Sequence, residues 1–364
     1  MPTELLGKSK EELRDLCVAL GEPAYRSEQL YRALYAERKF ALSQMTTLPA
    51  AFREHLAAET RITFPEIKQR FTSQDGSVRY LFGLSAEPGN ARSKPASVET
   101  VFMPSKGRQT ICVSTQAGCA VDCHFCMTAK LGLIRNLTPG EIVAQVLLPL
   151  EEHKENLAPR TNIVLMGQGE PLLNYDSVMA ALRILLDQKG AAIAPRHVTL
   201  STSGIVPGIN RLAQEKLRPK LAISLNASSD AQRDQLMPIN KKYPLRALIE
   251  ACQNFTKSPR EYLTFEYVLL GGINDTPEDA RRVVKLLAPL KRCKVNLIPW
   301  NPAGPEYREP TEESIADFHR ILIERGIPTF VRRSRGRDVM AACGQLALNE
   351  IQNHNQDSAL PVLS

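Results

Sequence analysis

From residue 110 onward short apolar runs alternate with amphipathic segments, and this alternation limits the possible folds more than any other feature of the chain. Runs at 110–114, 162–166, 197–201, 221–225, 263–270 and 294–298 have the length and composition of buried strands. Each leads into a helix signal. Thr138 and Glu141 make a capping box before 142–148, Thr276-Pro277 opens a helix reaching Leu287, and Thr311 opens another reaching Ile323. Strands separated by helices pair in parallel through crossovers, which are right-handed in almost every known case. The pattern therefore predicts an α/β fold, an open (β/α)6 barrel over 105–338.

Ahead of the barrel the pattern changes twice. Residues 1–60 read as a small helical accessory module: Leu13, Leu16, Cys17 and Leu20 share one face, and Leu30, Leu34 and Tyr35 share another. Residues 61–104 read as a β-rich adaptor with strands over 67–84 and 98–103, a hairpin turn at Asp75-Gly76 and a loop over 87–94. A C-terminal segment over 339–364 completes the expected organisation. At 364 residues and 43% hydrophobic content the chain can bury a large core. Eight cysteines are too few for a disulfide scaffold, the first ten residues lack an apolar leader, and no run of about 20 apolar residues occurs. A reducing cytoplasm and no membrane partner are expected. The net charge of +7 favours a polyanionic partner, although many basic proteins bind none.

Three cysteines follow the first predicted strand: Cys119, Cys123 and Cys126, spaced C-x3-C-x2-C. Three thiolates leave one iron of a [4Fe-4S] cube open to a small molecule, whereas structural zinc takes four ligands. His124 is the only local candidate for a fourth ligand, and its place beside Cys123 makes it hard to turn onto the same ion. Cys17, Cys252 and Cys293 are scattered and read as packing residues.

A barrel of this kind builds its site from the loops after the strands. After the second strand comes Gly167-Gln168-Gly169-Glu170-Pro171, where glycines permit close backbone approach and the acid can accept from an ammonium; a tight strand-to-helix turn is the alternative. The third strand ends at Ser201-Thr202-Ser203-Gly204, the fourth at Ser224-Leu225-Asn226 and the sixth at Trp300-Asn301. Their hydroxyls and amides suit a ribose, an adenine edge or a carboxylate, or simply cap the next helix.

The cysteine spacing resembles that of the radical S-adenosylmethionine (SAM) enzymes. The runs VETV (98–101), CVSTQAGC (112–119), MGQGEP (166–171), LSTSG (200–204), NLIPWNP (296–302) and AACGQL (341–346) resemble the RlmN family, and the likeness covers nearly the whole chain. Members of that family methylate adenine C2 in 23S rRNA and tRNA. The resemblance implies a [4Fe-4S] cluster on Cys119, Cys123 and Cys126, and SAM contacts from Gly169, Glu170, Ser201, Ser224, Leu225, Asn226 and Asn301. It also implies a methyl carrier at Cys343, a resolving partner at Cys112 that forms a transient disulfide with it, and a proton acceptor at Glu99. Without the family, Cys343 reads first as a buried small residue in a terminal helix and Glu99 as a solvated strand position. Among apolar strand neighbours the Glu99 carboxyl is expected to have a raised pKa. Some relatives carry histidine where this chain has Asn226.

RNA contact is expected from Lys241-Lys242 and from Arg332, Arg333, Arg335 and Arg337 just before Cys343, which suit phosphates; solvated faces are the alternative. Aromatic residues make up only 6% of the chain, so shape and base flipping rather than stacking are expected to give specificity. The implied partners are 23S rRNA, tRNA and a low-potential electron donor, with no DNA, and the chain is expected to act as a monomer. One rival is a Cfr-type enzyme that methylates adenine C8. Another is a non-catalytic iron-sulfur or zinc RNA-binding protein, which would release no 5′-deoxyadenosine from SAM.

Overall fold

The computed structural model describes residues 2–86, 94–256, 262–302 and 306–346. Residues 87–93 of the expected loop and 347–364 of the C-terminal segment lie outside them. The N-terminal module contains α1 (Lys10–Ala19), α2 (Arg26–Tyr31), which continues into a π-helical turn at Arg32–Ala36, and α3 (Ala50–Glu59). Ser9 starts α1 with a capping box, its hydroxyl accepting from the Glu12 N–H while Glu12 accepts from the Ser9 N–H. Leu13, Cys17, Leu30, Leu34 and Tyr35 are buried in a core continuous with that of the sheet. The two parts touch backbone to backbone. Gly7 holds a φ of +93°, and a Cβ there would lie 2.4 Å from the Gly140 nitrogen, in the first turn of α4 (Pro139–Glu152).

Ten strands form one sheet whose order follows the chain. They are β1 (Glu66–Thr72), β2 (Val78–Leu84), β3 (Ala96–Ser105), β4 (Arg108–Cys112) and β5 (Thr161–Leu165), then β6 (Val198–Thr202), β7 (Lys220–Ser224), β8 (Leu263–Leu269), β9 (Cys293–Pro299) and β10 (Thr329–Val331). β1 to β4 pair antiparallel, and from β4 to β10 every pairing is parallel. The strands expected in a separate adaptor over 61–104 thus extend the barrel's own sheet. β3 pairs along β4 and places Val101 opposite Cys112, covering an edge of the first barrel strand that would otherwise be open. β10 is a seventh parallel strand that the six-run pattern does not contain. It has three residues, and Phe330 and Val331 are exposed, so no apolar run announces it.

The helices fall where the pattern places them. α4 follows β4, α5 (Tyr175–Leu186) follows β5, and α6 (Val206–Leu212) follows β6. α7 (Asp230–Leu236) and α8 (Leu245–Phe255) follow β7, α9 (Pro277–Leu287) follows β8, and α10 (Glu312–Glu324) follows β9. Thr138 and Thr276 make full capping boxes, the second with Asp279, while the Thr311 hydroxyl accepts from the Ser314 N–H. The first barrel strand stops at Cys112 instead of running on to Ser114. There the buried Gln145 of α4 takes over from the ladder: its Oε1 accepts from the Ser114 N–H (2.8 Å) and its Nε2 donates to the Ser114 carbonyl (3.0 Å). No helix among the described residues is long and apolar enough to cross a membrane.

Candidate active site at the carboxyl ends of the strands

After β4 the chain makes a short antiparallel pair, Gln116–Gly118 with Leu133–Asn136, and the three cysteines lie on the loop between. The pair closes tightly because Gly118 takes a φ of +75°; a Cβ there would stand 1.8 Å from the Gly132 carbonyl oxygen. The Cys119 N–H donates to that same oxygen at 2.9 Å, and the Cys126 N–H donates to the Cys123 carbonyl at 3.0 Å. Beneath the loop, Leu236, Met237, Leu270 and Trp300 form a small apolar cluster against which Cys123 and Phe125 pack.

Glu170 is buried in the turn that follows β5. Its Oε2 accepts from both the N–H (2.7 Å) and the hydroxyl (2.8 Å) of Ser203, and its Oε1 accepts from the Leu172 N–H (3.1 Å). Burial raises its pKa, and these bonds pull in the opposite direction. Gly169 brings the turn against Gln116, whose Oε1 accepts from the Glu170 N–H at 2.8 Å. With φ at +97° and a Cβ position only 2.6 Å from the Gln116 Cβ, Gly169→Ala is expected to cost about 3 kcal/mol, combining left-handed strain with overpacking. Chemical denaturation measures this, and a cost below about 1 kcal/mol would contradict the packing described.

The remaining rim residues divide by role. Ser201 and Ser224 stand half-buried with hydroxyls 3.5 Å apart, facing one another across β6 and β7. Thr202 takes the capping role, accepting from the Gly204 N–H at 3.1 Å. The Leu225 side chain belongs to the main core, so only its backbone can meet a ligand. Asn226 holds a left-handed φ of +54°, its Oδ1 accepting from the Val268 N–H (2.9 Å) and its Nδ2 reaching the Met237 sulfur (3.3 Å). Its amide thus ties β7 to β8. Beneath this rim lies Arg233, fully buried, donating to the carbonyls of Ser203 (2.6 Å), Ser224 (3.1 Å) and Leu225 (3.0 Å) and to Asn240 Oδ1 (3.1 Å).

Glu99 is 1% exposed, but its carboxylate does not sit among apolar groups as the sequence predicts. Arg79, 2% exposed, lies diagonally across on β2 and forms an ion pair with it, and Gln168 Nε2 approaches the other oxygen at 3.5 Å. The buried carboxylate is thus matched by a cation and an amide rather than left without polar neighbours. Arg79 in turn stacks on Phe71, 4.0 Å from the ring centre.

Cys343 reaches the rim from far along the chain. The Gly344 carbonyl accepts from the Met127 N–H (2.8 Å), directly after the cysteine loop, and Gly344 itself takes a φ of +81°. Asn301 Nδ2 donates to the Cys343 carbonyl (3.3 Å) and to Ser334 Oγ (2.9 Å), and Gln345 Nε2 donates to the Pro302 carbonyl (2.8 Å). Asn301 therefore anchors the segment that carries Cys343. Cys343 is open to solvent at the surface, yet desolvation by its surroundings, followed by the charge of Glu266, pushes its thiol pKa up. Cys112 is buried beside Val101 and Leu346; burial, and then the nearby Cys343, push its thiol up as well. Glu266 is a buried acid on β8 that the motifs do not reveal; it accepts from Asn296 Nδ2 at 2.9 Å.

The expected arginine cluster is largely committed to the protein itself. Arg333 pairs with Glu312 (2.6 Å), Arg335 with Asp75 (3.1 Å) and Arg337 with Glu309. The acids that neutralise them come from the start of α10, the β1–β2 turn and the loop that leads into α10, so proximity in sequence to other cations says little about their surroundings.

Residues 113–287 match the Radical SAM superfamily model, and residues 3–62 match the model described as Ribosomal RNA large subunit methyltransferase N-terminal domain. An RlmN relative from Koribacter versatilis (strain Ellin345) is 50% identical over 351 residues, which cover 91% of this chain and 98% of the relative. The chain belongs to the RlmN family. A second member, from Anaeromyxobacter dehalogenans (strain 2CP-C), named a dual-specificity RNA methyltransferase, is 46% identical over 94% of this chain and 91% of its own length. The crystal structure of a radical SAM methyltransferase from Sphaerobacter thermophilus superposes with a TM-score of 0.87 at 40% identity, covering 95% of this chain and 99% of that one. As an RlmN-family member the chain is a radical SAM RNA methyltransferase with the partial barrel of that superfamily, and it uses a [4Fe-4S] cluster and SAM.

The local chemistry fits the cluster. Burial pushes Cys119 up to about 12 and Cys123 well above the ordinary thiol range, and the negative charge of neighbouring loop cysteines adds to both. Desolvated thiols such as Cys119 and Cys123 lose their protons readily only to a cationic centre. Among the described residues no three His, Cys, Asp or Glu side chains stand together as an ion site.

Proposed function

We propose that the chain methylates C2 of adenosine in 23S rRNA and tRNA, carrying the methyl group on Cys343. The observation behind this reading is the docking of 341–346 against the cysteine loop, with Cys112 within electrostatic reach of Cys343. Adenine C2 offers neither a useful nucleophile nor an acidic proton, so methylation by polar attack has no starting point. When bound, the cluster and SAM supply one-electron chemistry able to take a hydrogen atom from a methyl group.

The chain's own side chains do the rest. Cys343 gives up its thiol proton and holds a SAM-derived methyl group as a thioether, which is covalent catalysis by sulfur. Once that carbon has joined C2, the nucleoside is tethered to the enzyme. Glu99 takes the C2 proton as the adduct's unpaired electron leaves to the redox group that supplied it, and Arg79 holds the carboxylate in place. Cys112 then attacks Sγ of Cys343: the S–S bond forms, the S–C bond breaks, and the electron pair passes to the carbon, which gains a proton to become methyl. A cellular thiol reduces the disulfide. Cys119, Cys123 and Cys126 would hold the cluster. Glu170, Ser201, Ser224 and Asn301 would meet SAM from the rim, with Gly169, Leu225 and Asn226 contributing through the main chain.

The same reading takes in a low-potential electron donor, a reducing cytoplasmic setting and a chain that works as a monomer. Its test is Cys112→Ala under anaerobic turnover with SAM, reductant and an rRNA fragment. The RNA is expected to remain attached to Cys343, with product release falling at least about 100-fold. Free product at the normal rate would remove Cys112 from the scheme, and a methyl group at C8 in the wild-type product would overturn the C2 assignment.

A further inference from the structure

The segment that carries Cys343 has little structure of its own. Between Ser334 and Leu346 it contains one 3-10 turn, Arg337–Val339, and Gly336, Met340 and Gly344 all take left-handed φ values of 63°, 54° and 81°. Its course is therefore set mainly by what it touches. It is held at two places: the Asn301, Gln345 and Met127 contacts near Cys343, and a second group of bonds at the tip of the β1–β2 hairpin.

That second group is dense. Asp75 Oδ2 accepts from Arg335 Nε (3.1 Å) and from the Gly336 N–H (3.1 Å), while the Asp75 carbonyl accepts from Arg335 Nη2 (2.7 Å). Arg335 Nη1 donates to the Pro104 carbonyl on β3, so one guanidinium joins two hairpins. From the other side, Asp338 Oδ1 accepts from the Ser73 hydroxyl (2.6 Å) and its Oδ2 from the Gln74 N–H (3.0 Å). The turn is itself made rigid by Asp75 Oδ1, which accepts from the Ser77 N–H at 2.8 Å. These bonds lower the pKa of both carboxyls. The stabilisation is thus complete above the ordinary aspartate range and lost only as pH falls through the lowered values.

We propose that the β1–β2 hairpin tip is a latch that sets the position of the methyl carrier, with Asp75, Arg335 and Asp338 as positioning residues for Cys343. Cys343 follows Asp338 by five positions, and a chain of that length can sweep up to about 17 Å if its near end is freed. Fixing that end raises the effective concentration of Cys343 opposite Cys112. The latch also gives the antiparallel strands before the barrel a part in catalysis, since their turn lies more than 250 residues from the cysteine it places.

The inference rests on the Cys112–Cys343 exchange proposed above, and its test separates the two. Full-length protein, wild type and Asp75→Asn/Asp338→Asn, is equilibrated with reduced and oxidised glutathione, and the Cys112–Cys343 disulfide is quantified by mass spectrometry. Hydrogen exchange of 341–346 is followed in the same samples. The latch predicts that the double variant needs about tenfold more oxidising glutathione to form the disulfide and exchanges faster over 341–346, with the barrel strands unchanged. Arg333→Ala, which removes a charge from the same segment but breaks only the exposed pair with Glu312, should leave both readouts at the wild-type level. If the double variant does not fold, Ser73→Ala, which removes one donor to Asp338, takes its place with a smaller shift in the same direction. A wild-type disulfide that forms equally well in the variant overturns the latch. If the wild type forms none, the exchange step fails instead, and the latch is judged by hydrogen exchange alone: faster over 341–346 upholds it, unchanged rejects it.

Discussion

Cys343→Ala is expected to abolish methyl transfer to RNA, with a loss of at least about a thousandfold, because no other described cysteine can take its place. Cys112 is the nearest alternative thiol, but it is buried at the end of β4 against Val101 and Leu346. Cys17, Cys252 and Cys293 are packed in the main core. The loss should appear in turnover while fold and cluster content stay normal, since the Cys343 side chain adds no packing to that core. Incubation with SAM carrying a deuterated methyl group, followed by peptide mass analysis, should find the label on 341–346 of the wild type and none on the variant. Turnover within tenfold of wild type would show that the methyl group travels another way.

The second large effect concerns stability. Arg233→Ala is expected to destabilise the fold by about 3–5 kcal/mol, the usual cost of breaking a buried charged network. The guanidinium satisfies three strand-end carbonyls, and without it the carbonyls of Ser203, Ser224 and Leu225 lose a buried donor. Desolvation draws its pKa down to about 10, so it remains charged at neutral pH. Urea unfolding measures the cost directly. Because the same carbonyls fix Ser224 and the turn carrying Ser203, which in turn holds Glu170, SAM affinity should fall as well. A variant within 1 kcal/mol of wild type would mean that water replaces the arginine without penalty.

The barrel was legible because its strands bury both faces and its helices begin with strong caps; Thr138 and Thr276 alone fix two helix starts. The cysteine loop and the Gly169 turn were legible for a related reason, that their chemistry depends on local spacing. What escaped depends on register across the sheet. Nothing in the order of residues marks Arg79 as the partner of Glu99, because the pairing exists only once β2 and β3 align diagonally. Arg335 looked like one of four phosphate ligands, yet its partner is Asp75, in a turn read only as a hairpin. Asn226 fits a ligand contact on composition, but its left-handed backbone turns its amide to the main chain of β8. β10 and Glu266 were hidden by shortness and by burial of a lone acid, neither of which leaves a periodic trace.

The central claim, that a methyl group rests on Cys343 before it reaches RNA, is tested most directly by following isotope through one turnover. The enzyme, reconstituted anaerobically with iron and sulfide, is first loaded from SAM with a fully deuterated methyl group, then freed of excess SAM and given unlabelled SAM, reductant and RNA. The account predicts that the first methyladenosine released carries two deuterium atoms and that one deuterium appears in 5′-deoxyadenosine. An unlabelled first product, with the label still on the protein, would contradict it.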